Sequence, residues 1–259
     1  MSKNFELMQE AGIRLERPAL EEPKRNPAPT FSSETTGERI ETHFDLSDKF
    51  TREETLKLVQ SVFLMGGEEA PRAVVFAGID PGNGCSSLCA HVADVLANQR
   101  IGSVCVVDAN LRTPALPELY GVSNHYGLTD ALYKKGSIRD FAKVVRSDNL
   151  WLLSSGSHAG DTTGPPSMLN SETTKVRLSE LRREFDYVLI DSAPLSTYTD
   201  GVVLGQLADG LVLVLEANST RREVAVRVAE NLRNAQVRIL GAVLNKRTFP
   251  VPQSVYDLL

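Results

Sequence analysis

Apolar residues in this chain gather in short, nearly continuous runs, separated by stretches with the spacing of amphipathic helices. Runs at 72–78, 103–108, 150–154, 186–191, 210–216 and 238–244 read as strands, and helical patterns fall at 51–65, 86–99, 115–120, 137–145, 171–185, 199–207 and 219–234. Tyr187-Val188-Leu189-Ile190 and Leu211 to Leu215 are apolar almost throughout, which suits strands buried on both faces. The alternation predicts an α/β fold with a mainly parallel, doubly wound sheet. Ligands in such folds gather at the carboxyl ends of the strands. Ser47 or Thr51 is the expected N-cap of the first helix of this region.

The first 45 residues follow another pattern. Asn4 to Leu15 fits a short amphipathic helix with Phe5, Leu7, Met8, Ala11 and Ile13 as its apolar content. Glu16 to Glu41 is rich in Pro, Glu, Ser and Thr, with Pro18, Pro23, Pro27 and Pro29, the composition of a disordered linker. The leading helix either docks a partner or lies back on the domain. The expected division is therefore 1–45, a helix and linker; 46–250, a single α/β domain; and 251–259, a tail.

Composition narrows the function classes. At 259 residues and 42% hydrophobic, the chain can bury one sizeable core, and a net charge of −5 gives no pull toward nucleic acid or an anionic membrane. Cys85, Cys89 and Cys105 form no CxxC pair and read as small buried residues of a reducing compartment. Neither a leader peptide nor a membrane-length apolar run is evident, so the expectation is a soluble, cytoplasmic protein, recruited to the membrane's inner face, if at all, by a partner.

Three strand ends carry candidate chemistry. After Val74-Val75-Phe76-Ala77 comes Gly78-Ile-Asp80-Pro-Gly82-Asn83-Gly84-Cys85-Ser86-Ser87, the outline of a P-loop whose backbone N–H groups and helix N-terminus face phosphates. Ser86 stands where a hydroxyl binds Mg²⁺, but Cys85 occupies the place of the phosphate-binding lysine. The second strand ends in Asp108-Ala-Asn110-Leu-Arg112, and a Walker B-like strand ends in Asp191-Ser-Ala-Pro194. An Asp at a strand end is often only a turn former. The three together, each on strand, loop and helix context, point to a nucleotide site.

In these motifs the chain resembles the bacterial tyrosine kinases of capsular and exopolysaccharide synthesis, P-loop proteins related to partitioning ATPases, over roughly residues 50–248. The resemblance implies ATP or ADP with Mg²⁺ as cofactors. Gly82, Asn83, Gly84, Cys85, Ser86, Ser87 and Asn245 would lie at the nucleotide, and Ser86, Asp108 and Asp191 at the metal. It implies catalytic roles for Asp108, as base for an attacking tyrosine, and for Arg112. Glu54, Lys57 and Gln60 occupy the place of the family's ring-forming Glu-x-x-Arg-x-x-Arg motif. The implied partners are a separate membrane co-polymerase or chain-length regulator, and a homo-oligomer or a hetero-oligomer with an active paralogue.

Every departure runs toward loss. Cys85 replaces the P-loop lysine, Asn110 the second carboxylate, and Asp80 the signature lysine of partitioning ATPases; in place of a tyrosine cluster the tail has Tyr256. Removing one charged contact from a phosphoryl-transfer site costs on the order of 3–4 kcal/mol of barrier, roughly a hundred- to thousand-fold in rate. The sequence thus reads as a regulatory or scaffolding relative that binds nucleotide weakly through backbone amides and Mg²⁺. Its rivals are an active kinase borrowing a cation from Arg112, Lys246 or an activator, a positioning ATPase of the partitioning type, and a nucleotide-free interaction module.

Other features have plainer readings. A thiol at a helix N-terminus has a lowered pKa and could sense redox state, but drift is the simpler account of Cys85. Arg182-Arg183 and Arg221-Arg222 read as solvated helix ends, Trp151 as packing, Tyr256 as an exposed tail residue, and Gly164-Pro165-Pro166-Ser167 as a loop that could border the cleft.

Overall fold

The computed structural model describes residues 49–157, 169 and 171–247. Seven strands form one sheet: β1 (Ala73–Gly78), β2 (Val104–Asp108), β3 (Lys143–Val145), β4 (Ser147–Leu153), β5 (Tyr187–Ser192), β6 (Gly210–Glu216) and β7 (Ile239–Asn245). Their order is β3-β4-β2-β5-β1-β6-β7, and every neighbouring pair is parallel except β3 with β4. This is the mainly parallel, doubly wound sheet that the sequence pattern predicts. Six of the seven strands lie within three residues of the runs read from the sequence.

The continuous apolar runs have a direct cause, since the pleat sends successive side chains to opposite faces. Val74, Phe76, Val106, Leu189 and Val212 pack under α1 (Lys49–Val59) and α2 (Cys85–Asn98). Val75, Ala77, Val107, Ile190 and Leu213 pack on the other side. There they meet α4 (Leu128–Tyr133), α5 (Glu172–Glu184), α6 (Asp200–Leu207) and α7 (Arg222–Asn234). A short α3 (Leu116–Leu119) follows β2.

Several expectations change. The segment 137–145 is not a helix. Ser137 and Asp140 form a capping box that starts one 3₁₀ turn, Ile138–Phe141, and Ala142 is already extended. The chain then pairs antiparallel with β4, Val144 opposite Trp151. Two adjacent β-branched residues suit that edge better than a helix interior. Thr51 lies inside α1 and is not its cap, while Ser47 is outside the described residues. The expected 51–65 helix is α-helical to Val59 and closes in a π turn, Gln60–Leu64. The Asn4–Leu15 helix, the 16–41 linker, the 164–167 loop and Tyr256 also fall outside the described residues.

Candidate phosphate-binding site

A cleft of about 410 Å³ opens where β1, β2 and β5 end. Its floor is the loop from Gly78 to Ser87. Gly82 and Gly84 both sit at φ 79°, a left-handed conformation that L side chains rarely adopt. Asn83 between them is buried and ties the loop to the sheet: its Nδ2 donates to the Val214 carbonyl at 2.9 Å, and its Oδ1 accepts from the Cys85 N–H at 3.2 Å. From above the loop, Asn245 Nδ2 donates to the carbonyl of Asn83 at 2.9 Å, and Lys246 Nζ to that of Gly82 at 2.5 Å.

Cys85 is the first residue of α2, and its side chain is buried rather than projecting into solvent. Burial, with Asp191 close by, pushes its thiol well above the usual cysteine range. The helix N-terminus therefore does not produce a thiolate, which removes the basis of the redox-sensor idea. Cys89 and Cys105 are likewise buried and unbridged. Among the described residues lining the cleft, none is a lysine or arginine, and Asp80 adds a carboxylate.

Asp108 and Asp191 stand opposite each other on β2 and β5. Asp108 is fully buried and accepts from the backbone N–H groups of Asn110 (3.2 Å), Ala115 (3.1 Å) and Leu116 (3.1 Å). Burial, then the neighbouring Asp191, nevertheless pushes its carboxyl well above the ordinary range. Asp191 is raised to about 6 by burial; Ser86 and Cys85 oppose that rise. Neither of those neighbours makes a well-formed hydrogen bond, and both carboxylate oxygens of Asp191 are left orphaned. The two unused oxygens of Asp191, with the facing Asp108 carboxylate and the Ser86 hydroxyl, are hard oxygen donors of the kind a divalent cation takes, so the residues fit Mg²⁺. Among the described residues no three His, Cys, Asp or Glu side chains are arranged to hold a metal ion by themselves, so phosphate or water would have to complete the coordination.

Asn110 and Arg112 do other work. Asn110 folds its own turn, bonding Thr113 through both ends of its amide. Arg112 Nε donates to the buried Asp200 at 3.3 Å, and its guanidinium lies 3.9 Å from the centroid of Tyr198. Sequence reasoning missed Asp200 and Tyr198, the two residues that hold this arginine; no spacing rule connects position 112 with positions 198–200. Glu54, Lys57 and Gln60 lie apart from this cleft, exposed on α1 and its π turn, and Lys57 Nζ bonds Glu54 at 2.5 Å. They line a second groove, between α1 and β7, only in part: Glu54 and Lys57 border it, Gln60 does not. No helix among the described residues is long and apolar enough to cross a membrane.

Comparison with known proteins bears on this geometry. Tyrosine-protein kinase YwqD of Bacillus subtilis is 32% identical over 174 residues, covering 67% of this chain and 72% of YwqD. Putative tyrosine-protein kinase CapB of Staphylococcus aureus is 26% identical over 210 residues, covering 80% and 90%. The succinoglycan biosynthesis transport protein ExoP of Rhizobium meliloti is 27% identical over 73% of this chain, but the match spans only 24% of ExoP. The crystal structure of the chimerical protein CapA2B2 superposes with a TM-score of 0.72 at 20% identity, over 79% of this chain and 88% of that one, a likeness of fold. No family model matches the chain.

Proposed function

The chain belongs to the bacterial tyrosine-protein kinases, and on that premise we propose that it is a nucleotide-binding member of capsule or exopolysaccharide biosynthesis whose site is weakened for phosphoryl transfer and which acts chiefly by contact. One observation carries this reading: the described lining of the phosphate cleft contains no cationic side chain, and the position that should supply one holds a buried, protonated thiol. Catalysis of phosphoryl transfer rests on positioning and charge stabilisation, so the loss falls on rate more than on recognition of the nucleotide by backbone amides.

Asp108 and Asp191 with Ser86 support residual Mg²⁺-nucleotide binding. Arg112, held by Asp200 and Tyr198, is not a spare cation for the phosphates. The polysaccharide setting is supported by the relationship to ExoP. That protein carries the matching segment as about a quarter of a longer chain, which supports a membrane co-polymerase as the partner of this one.

Calorimetric titration with Mg-ADP and Mg-ATP, on wild type and Cys85→Lys, tests the proposal together with a phosphotransfer assay. Weak binding by wild type, tighter binding by the variant and no autophosphorylation of wild type are expected. Robust tyrosine phosphorylation by purified wild-type protein would overturn it.

A further inference from the structure

The end of β7 meets the phosphate loop on its carbonyl side. Asn245 Nδ2 donates to the carbonyls of Asn83 at 2.9 Å and Gly84 at 3.4 Å, and Lys246 Nζ donates to that of Gly82 at 2.5 Å. Three consecutive loop carbonyls are therefore gripped from one strand end. No peptide bond among the described residues is cis, so each C=O and the N–H of the next residue point in opposite directions. Drawing the carbonyls of residues 82 and 83 toward the end of β7 turns the N–H groups of Asn83 and Gly84 away from it.

The sequence builds this contact deliberately at the local level. Asn245 is held in register opposite Glu216, and its carbonyl accepts from the Ala217 N–H at 2.9 Å. Lys246 follows at φ 55°, a left-handed step, and its side chain reaches the loop at the Gly82 carbonyl. Glu216, 3.4 Å from Nζ, steadies the ammonium from the other side. Lys246 does not line the phosphate cleft, so its part is to shape the loop and set its local potential, not to touch the leaving group.

We propose that Asn245 and Lys246 form a positioning clamp that holds the loop's N–H groups toward the phosphates, so that nucleotide affinity in this chain depends on the charge at position 246 as well as on the residue at position 85. The inference rests on the nucleotide reading above and assigns it a residue outside the P-loop motif.

The test compares wild type, Lys246→Met, Lys246→Arg and Cys85→Lys by calorimetry with Mg-ADP at low and high salt, and by amide hydrogen exchange across residues 82–86. Loss of a charge-assisted hydrogen bond at the loop predicts about tenfold weaker Mg-ADP binding in Lys246→Met. It also predicts a flatter salt dependence and faster exchange at Asn83 to Cys85; Lys246→Arg should restore all three. Unchanged Mg-ADP affinity in Lys246→Met would overturn the clamp, because a mere surface pair with Glu216 predicts that result. If neither wild type nor Cys85→Lys binds nucleotide, the nucleotide reading falls. Exchange then decides the clamp alone: faster exchange in Lys246→Met upholds it, and unchanged exchange overturns it.

Discussion

Asp108 and Asp191 face each other across neighbouring parallel strands, both fully buried, and only Asp108 has backbone donors. Bringing two like charges out of water side by side disfavours ionisation of both. The pair therefore titrates as a unit, and a cation placed between them removes the cause of the strain.

The pH dependence follows. Asp191 titrates near 3.8 when unfolded and is raised to about 6 in the fold, so the folded chain keeps a proton that the unfolded chain releases. The resulting stabilisation is fully present below about pH 4 and is lost as the pH rises through about 6. Asp191→Asn removes the charge but keeps the shape. Without nucleotide it should melt higher than wild type at pH 7.5, by on the order of 1–3 kcal/mol. The gap should narrow at pH 5. Asp94, raised to about 6 by burial, is common to both proteins and cancels in the comparison. Melting curves at the two pH values, with and without Mg-ADP, provide the check; Mg-ADP should stabilise wild type and not the variant. An equal gap at both pH values would remove Asp191 as the titrating group.

Gly84 and Gly82 offer a matched pair. Both have φ 79°, but a Cβ on Gly82 would meet nothing within 4 Å, whereas one on Gly84 would lie 2.5 Å from Asn245 Nδ2. Gly82→Ala should cost only the left-handed conformation, about 1 kcal/mol. Gly84→Ala should cost more, about 2–3 kcal/mol, because Asn245 must also release its carbonyl partners. Denaturant midpoints with unchanged slope would read the difference, and equal losses would show that Asn245 yields freely.

Much of this architecture was legible because buried parallel strands leave long apolar runs, as in Leu211 to Leu215. The phosphate loop was legible because Gly82 and Gly84 punctuate a strand-to-helix turn. What escaped was decided by distant partners. β4 starts at Ser147, three residues before its apolar run, because the sheet pairs backbone and is indifferent to the polar Ser147-Asp148-Asn149. α4 has only six residues, too few for a periodic signal, and is held by Arg177 of α5, 46 positions away from its bond to Ala131. Arg182 also departs from its reading as a solvated end, since it pairs with Asp209. Within the site, Cys85 announced a missing cation, but its burial against Asp191, the diversion of Arg112 to Asp200 and the reach of Lys246 to Gly82 all depend on long-range packing.

Arg177 gives the corresponding stability prediction. Its guanidinium is largely buried and donates to the carbonyls of Ala131 (2.8 Å), Lys134 (2.7 Å) and Gly136 (2.8 Å), closing the end of α4 and the turn after it. Arg177→Met keeps the apolar stem but orphans three acceptors, so the loss should be on the order of 2–4 kcal/mol. Hydrogen exchange should rise first at residues 128–137. A uniform rise across the whole domain would indicate global destabilisation without a local clasp.

The α1 surface separates assembly from folding. Glu54 and Lys57 are exposed and pair with each other along the helix, at 2.5 Å, a contact that contributes no more than about 0.5 kcal/mol. Glu54→Ala should therefore leave the melting temperature within roughly a degree of wild type. If these positions join subunits, as their place in the family's ring motif implies, the same substitution should lower the mass measured by light scattering at a fixed protein concentration. Because the monomer's stability is expected to stay put, any fall in mass reports the interface. An unchanged mass in a wild type shown to be oligomeric would place the contact elsewhere, while Lys57→Glu, which sets two carboxylates against each other on α1, should deepen the loss if the interface reading holds.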